Sequence, residues 1–180
     1  MLADSLKLYK LIILYFLYRS KQEITNAVLS DFILEHGYTD YLSIQETLSS
    51  LTEDQMIEPH RTHTATYYTI TENGLETLEF FNSRLPFDTK MQIEGYLKEK
   101  KMQIVQDATI RTDYRKTDSG EYLTDCKVIE QKRILFELKL ILPTEKMAEQ
   151  ACEKFKEKET DIYAFLWKNL VSDGQKKDRE

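Results

Sequence analysis

Three sets of side chains have the types and spacing to do chemistry. His60 and His63 stand three apart in the run HRTHTA, and imidazole is the commonest side-chain metal ligand. A metal pair needs a rigid element and further ligands. These two fall in a polar stretch that reads as a hairpin tip, so contact with solvent or nucleic acid is the better reading. Cys126 and Cys152, the two cysteines, could form a redox pair. Both fall on apolar faces, where a thiol behaves as a small buried hydrophobe. The third set is Tyr41, Ser43, Gln45 and Glu46, on one side of a helical stretch and followed by His60, Arg61 and His63. Gln can read adenine and Glu can accept from cytosine in the major groove, and the hairpin residues can approach phosphates.

Motifs for catalysis are missing. The five glycines make no phosphate-cradling loop, and nucleophile elbows and zinc-protease signatures are absent. The sequence therefore reads as a non-enzyme with no cofactor and no metal.

The elements that would position the third set follow in order. Residues 6–20 (LKLYKLIILYFLYRS) are apolar on nearly every face, as in a helix buried in a core or in a dimer interface. Ile24 can pair as a minimal strand, and Thr25 or Asn26 can cap a helix with Val28, Leu29, Phe32 and Ile33 on one face. Gly37 ends it. A second helix begins near Tyr41, with Ile44, Leu48 and Leu51 inward and Ser43, Gln45, Glu46 and Ser49 outward. Two helices joined by a short Gly-containing turn have the helix-turn-helix pattern. A strand from Met56, a tip at 60–65 and the β-branched, aromatic strand TYYTIT at 66–71 follow. Thr71 can cap a closing helix. Helix, helix, hairpin, helix is the order of a winged helix.

The run YTITENGLETLEFF from Tyr68 resembles the end of the wing in PadR- and MarR-type regulators, with an aromatic strand residue (Tyr68), a Thr cap (Thr71) and a Gly three positions on (Gly74). This resemblance covers about residues 5–82. Nearly the whole chain is also similar to a family of uncharacterised proteins from Gram-positive anaerobes, described as a domain of unknown function or as regulators. The resemblance implies a winged helix and brings no established activity.

Leu85-Pro86-Phe87 reads as a linker, and Asp88 can cap a helix to about Lys101. The period then changes to two. Met102, Ile104, Ala108, Ile110 and Tyr114 fall on one side of a strand. Asp118-Ser119-Gly120 is a turn. Tyr122, Thr124, Cys126 and Val128 alternate, as do Ile134, Phe136, Leu138, Leu140 and Leu142. Pro143 stops the last strand and Thr144 caps a helix with Met147 or Ala148, Ala151, Cys152 and Phe155. Thr160 reads as the cap of a further segment through Leu170. The expected organisation is α+β. A winged helix-turn-helix spans 5–85, and an αβββα domain with a three-stranded antiparallel sheet flanked by helices spans 86–172. A charged tail follows at 173–180. The aromatic residues Tyr96, Tyr114, Tyr122, Phe136, Phe155 and Trp167 could line a ligand pocket, with an ordinary core the better reading.

Charge sets the main tension. Of 25 basic and 31 acidic residues, the first 87 positions hold six and twelve, a net of −6, and the remainder is balanced at nineteen of each. The stretch from Tyr41 to Gln55 contains no Lys or Arg, whereas phosphate neutralisation supplies most non-specific affinity for DNA. Leu11–Tyr18, the most apolar run, is far shorter than the roughly 20 residues that span a bilayer. No signal-peptide pattern opens the chain, and two isolated cysteines fit a reducing compartment, so a cytoplasmic protein without membrane contact is expected. The functional expectation is a DNA-binding transcriptional regulator acting as a homodimer. The alternative is a winged helix used for protein contacts without DNA. No effector can be read from the residues.

Overall fold

The computed structural model describes residues 2–130 and 133–171. It is a mixed α+β chain with seven α-helices and two three-stranded antiparallel sheets among the described residues. The expected tail at 173–180 lies outside them. Two compact units divide at Ala108/Thr109.

The first unit runs α1 (Leu2–Ser20), β1 (Ile24–Thr25), α2 (Asn26–Glu35), α3 (Tyr41–Glu53), β2 (Ile57–Arg61), β3 (Thr66–Ile70), α4 (Glu72–Phe81), α5 (Phe87–Glu99) and α6 (Lys101–Thr109). Its sheet has the order β1-β3-β2, with Ile24 opposite Tyr68 and His60 opposite Tyr67. Every residue from Leu11 to Leu17 is buried, because α3, α4, α5 and β3 all pack on α1. The all-round apolar first helix is thus accounted for by its own unit and gives no reason to expect an interface.

Local signals set the element ends. Thr25 Oγ1 accepts from Val28 N, Asp40 from Ser43 N and Thr71 Oγ1 from Gly74 N, each satisfying an orphan donor of a first helical turn. Gly37, at φ 64°, closes α2. There Tyr38 N donates to Ile33 O and Gly37 N to Leu34 O, the paired bonds of a Schellman end.

Two expectations are corrected here. The helix after Leu85-Pro86-Phe87 was expected to open the second domain. Instead α5 packs on α1, its Ile93 and Tyr96 joining the core of Phe16 and Phe32. Tyr15 also donates to Glu94 at 2.8 Å, and Arg19 lies 3.1 Å from the same carboxylate. Secondly, residues 101–109 are helical, not a strand. Ile104 and Ala108, the buried pair, are four apart, which satisfies a helix as well as a two-residue period.

The second unit contains β4 (Ile110–Lys116), β5 (Tyr122–Glu130), β6 (Arg133–Leu142) and α7 (Glu145–Leu170). The strands form the meander β4-β5-β6. One helix covers it, where flanking helices were expected. Ala148, Cys152 and Phe155 are its buried residues, set at helical spacing. Met147 is exposed. Thr144 caps α7 through Met147 N, but Thr160 caps nothing and lies inside a continuous 26-residue helix.

Candidate nucleic-acid interface

The first turn of α3, the outer face of α2 and the β2–β3 hairpin converge on one cleft. Thr25, Asn26, Ser30, Leu34, Tyr41 and His63 are among its lining. The hairpin tip is tight, with Thr62 N donating to Ala65 O at 2.8 Å and Thr62 Oγ1 bonded to both Ala65 N and O. That fold-back leaves His60, Arg61 and His63 exposed. His60 Nδ1 lies 4.0 Å from Glu23 and its ring 6.2 Å from that of Tyr67.

The expected base-reading row divides. Tyr41 and Glu46 are exposed, as an outward face requires. Ser43 is half-buried and committed to its own helix. Its N–H and hydroxyl both donate to the Asp40 carboxylate, at 3.0 and 3.1 Å. These bonds hold the Asp40 carboxyl below its ordinary pKa, the backbone bond from Ser43 contributing most. Gln45 is half-buried and paired through both ends of its amide. Its Oε1 accepts from Asn26 Nδ2 at 2.9 Å and its Nε2 donates to Asn26 Oδ1 at 3.1 Å. Ser30 Oγ donates to the same Asn26 oxygen at 3.0 Å. This reciprocal amide pair ties α2 to α3 and uses the amide edge that a bidentate base contact would need.

Electrostatics around the cleft are sparse in positive charge. Arg61 is the one Lys or Arg between Tyr41 and Ile70. Two cations on α1 that could have supplemented it are held elsewhere, Lys10 by Asp54 at 2.7 Å and Arg19 by Glu94 at 3.1 Å. Exposed apolar groups stand beside the acidic ones, with Leu34, Tyr41 and Leu42 at 44%, 57% and 68% exposure. Sequence reasoning missed Leu34 and Leu42. Each breaks the polar pattern of an outward face, which is the signal that could have marked them.

The other candidate groups resolve differently. Cys126 and Cys152 are buried free thiols brought together on the helix-covered face of the second sheet. The Cys126 thiol is pushed up by its hydrogen bond with Cys152 and by burial. The aromatic set does not line one pocket. Tyr96 belongs to the core of the first unit, with its hydroxyl pushed up to about 12 chiefly by burial. Phe136 and Phe155 pack with tilted rings, centroids 5.6 Å apart, in the second. Among the described residues no group of three His, Cys, Asp or Glu gathers as a metal would require, and no helix is long and apolar enough to cross a membrane.

A family model matches residues 9–170. The chain belongs to the family described as Domain of unknown function (DUF4364). The DUF4364 match runs from α1 to the end of α7 and so includes both compact units. No curated protein and no solved structure shows significant similarity to the chain.

Proposed function

We propose that the first unit is a winged helix-turn-helix and that the protein is a DNA-binding transcriptional regulator. The observation that carries this reading is the order α1-β1-α2-α3-β2-β3-α4 with a β1-β3-β2 sheet, whose hairpin exposes His60, Arg61 and His63 beside the start of α3. In such a motif the second helix enters the major groove and the wing reaches the backbone or the minor groove. Tyr41 and Glu46 would meet base edges, and Arg61 would meet phosphate.

A second reading has its own observation. Leu34, Tyr41 and Leu42 are exposed together on a unit with six more acidic than basic residues. That is a surface suited to an apolar and cationic protein partner, with no DNA contact. Retardation of duplexes from the protein's own promoter region, at low and moderate salt, separates the two. The DNA reading expects retardation that Arg61→Ala weakens on all sequences alike, because a phosphate contact carries no base information. Absence of retardation by the folded protein at low salt, together with a pull-down abolished by Leu42→Asp, would establish the protein reading instead.

A further inference from the structure

The second sheet has two unlike edges. β4 is seven residues long and carries Arg111, Arg115 and Lys116. Charges on a short strand are the usual protection of an edge against pairing. β6 is ten residues, RILFELKLIL, and pairs with β5 alone among the described residues. Four of its apolar side chains, Ile134, Leu135, Leu140 and Ile141, are 41–62% exposed. A long, apolar edge is a template for another strand.

The identity of that strand can be read from β6 itself. Leu140 turns its N–H and C=O toward Thr124 on β5. Backbone groups alternate along a strand, so those of Glu137, Lys139 and Ile141 turn toward the open edge. On the sheet face away from α7, Asp125 stands opposite Lys139 and Lys127 opposite Glu137. The four make an alternating cluster with N···O distances of 3.3–3.9 Å.

We propose that β6 pairs antiparallel with β6 of a second copy about a two-fold axis at Leu138, joining two meanders into one six-stranded sheet. In this register Glu137 faces the partner's Lys139, and Lys139 faces the partner's Glu137, so the alternation of charge continues across the axis. On the other face Leu138 meets itself and Phe136 meets Leu140. The register of β6 against β5 shifts beyond Phe136, between Val128 and Ile129, so the regular pairing with the second copy runs from Phe136 to Leu140, and exposed Leu140 gains Phe136 as an apolar neighbour. The axis sits near the middle of the strand, and Pro143, which lacks an N–H, lies just past its end. Neighbouring registers fail on charge. An axis at Glu137 sets Glu against Glu, and one at Lys139 sets Lys against Lys. The ring series Phe155–Phe136–Tyr163–Trp167, with centroids 5.6–6.0 Å apart, leads from the core across β6 to the last turns of α7. Phe165, Trp167 and Leu170 are 52–77% exposed there, extending the apolar surface. This inference does not depend on DNA binding.

Light scattering at micromolar concentration should report twice 21.3 kDa. Lys139→Glu and Glu137→Lys each place like charges opposite one another twice per dimer, and each alone should weaken dimerisation by about tenfold or more. An equimolar mixture of the two should recover the dimer mass, because each variant's charges then complement the other's. Mixing leaves the charge clashes within each chain unchanged, so recovery isolates the contact between chains. As a second route, Leu138→Cys combined with Cys126→Ser, which removes the thiol opposite position 138 on β5, should cross-link to its partner on oxidation, since residues directly opposite across a strand pair have Cβ atoms about 5 Å apart. A monomeric wild type would overturn the proposal. So would dimers indifferent to both reversals, a mixture of folded variants that stays monomeric, or no Leu138→Cys cross-link.

Discussion

Gly74 shows how much a single position can hold. A Cβ built there would stand 2.1 Å from the Met56 carbonyl oxygen and 2.9 Å from Ile70 Cγ1. That carbonyl accepts from Thr71 N, and Thr71 Oγ1 donates to Gln55 O at 2.7 Å. The first turn of α4 therefore lies directly on the start of β2, and only a residue without a side chain lets it. Gly74→Ala should destabilise the protein by about 2–3 kcal/mol through overpacking, measurable by urea denaturation. Gln45 makes a different point. Its amide partner Asn26 lies 19 positions away, so no local spacing could announce the pair, and an outward, base-reading Gln was the natural inference from helical periodicity. Gln45→Ala should lower stability by about 1–2 kcal/mol by taking the acceptor from the half-buried Asn26 Nδ2, while Asn26 Oδ1 keeps its bond from Ser30. A double-mutant cycle with Asn26→Ala should show coupling of similar size; strict additivity would mean the pair contributes nothing. The caps at Thr25, Thr71 and Thr144 were readable because their hydrogen bonds close within three residues. Asp40 adds a pH signature. Its carboxyl is held low by Ser43, so its capping contribution is present above the unfolded carboxylate range and is lost as pH falls through the lower folded value. The melting-temperature gap between wild type and Asp40→Ala should narrow on acidification and be constant near neutrality.

At the level of elements, residue patterns placed a strand at or overlapping each of the six observed, but began the strand of Ile110–Lys116 too early, at Met102, where two periods coincide. Ile104, Ala108 and Ile110 are spaced by even numbers, which suits a strand. The burial of Ile104 and Ala108 among exposed Met102, Gln103, Val105 and Gln106 belongs to a helix. The division of α7 was misread for a related reason. Thr160 is a good cap by residue type, but its backbone sits within unbroken helix and its hydroxyl donates to Glu159. A proline at position 161 discriminates the two arrangements. Were Thr160 a cap, Pro would occupy the first helical position, where its missing N–H is harmless. In a continuous helix it removes a hydrogen bond and clashes with the preceding turn, at a cost of about 3 kcal/mol. Asp161 is exposed, so little side-chain packing is lost in the exchange. Asp161→Pro should therefore lower helicity by circular dichroism and reduce stability by about that amount; an unchanged melting curve would restore the two-helix reading.

For the whole molecule, charge follows the division into units. Residues 1–108 contain ten basic and sixteen acidic side chains, and residues 109–180 contain fifteen of each. The entire net charge of −6 thus belongs to the unit proposed to meet DNA. A polyanion approaching this unit gains little long-range attraction, and any affinity must come from short-range contacts placed by shape. Within α3 and the hairpin Arg61 is the sole Lys or Arg, so two copies would neutralise two phosphates through this motif. The logarithm of affinity falls with the logarithm of salt concentration by about 0.9 per neutralised phosphate. Two phosphates imply a loss of about tenfold between 50 and 200 mM salt, against roughly 10³–10⁵ for proteins contacting six to ten. Retardation titrations across that range should give the shallow slope, and Arg61→Ala should flatten it further while weakening binding at every salt concentration. A steep slope in the wild type would mean that cations outside α3 and the hairpin carry the contact. The DNA-facing surface would then have to be sought beyond this cleft.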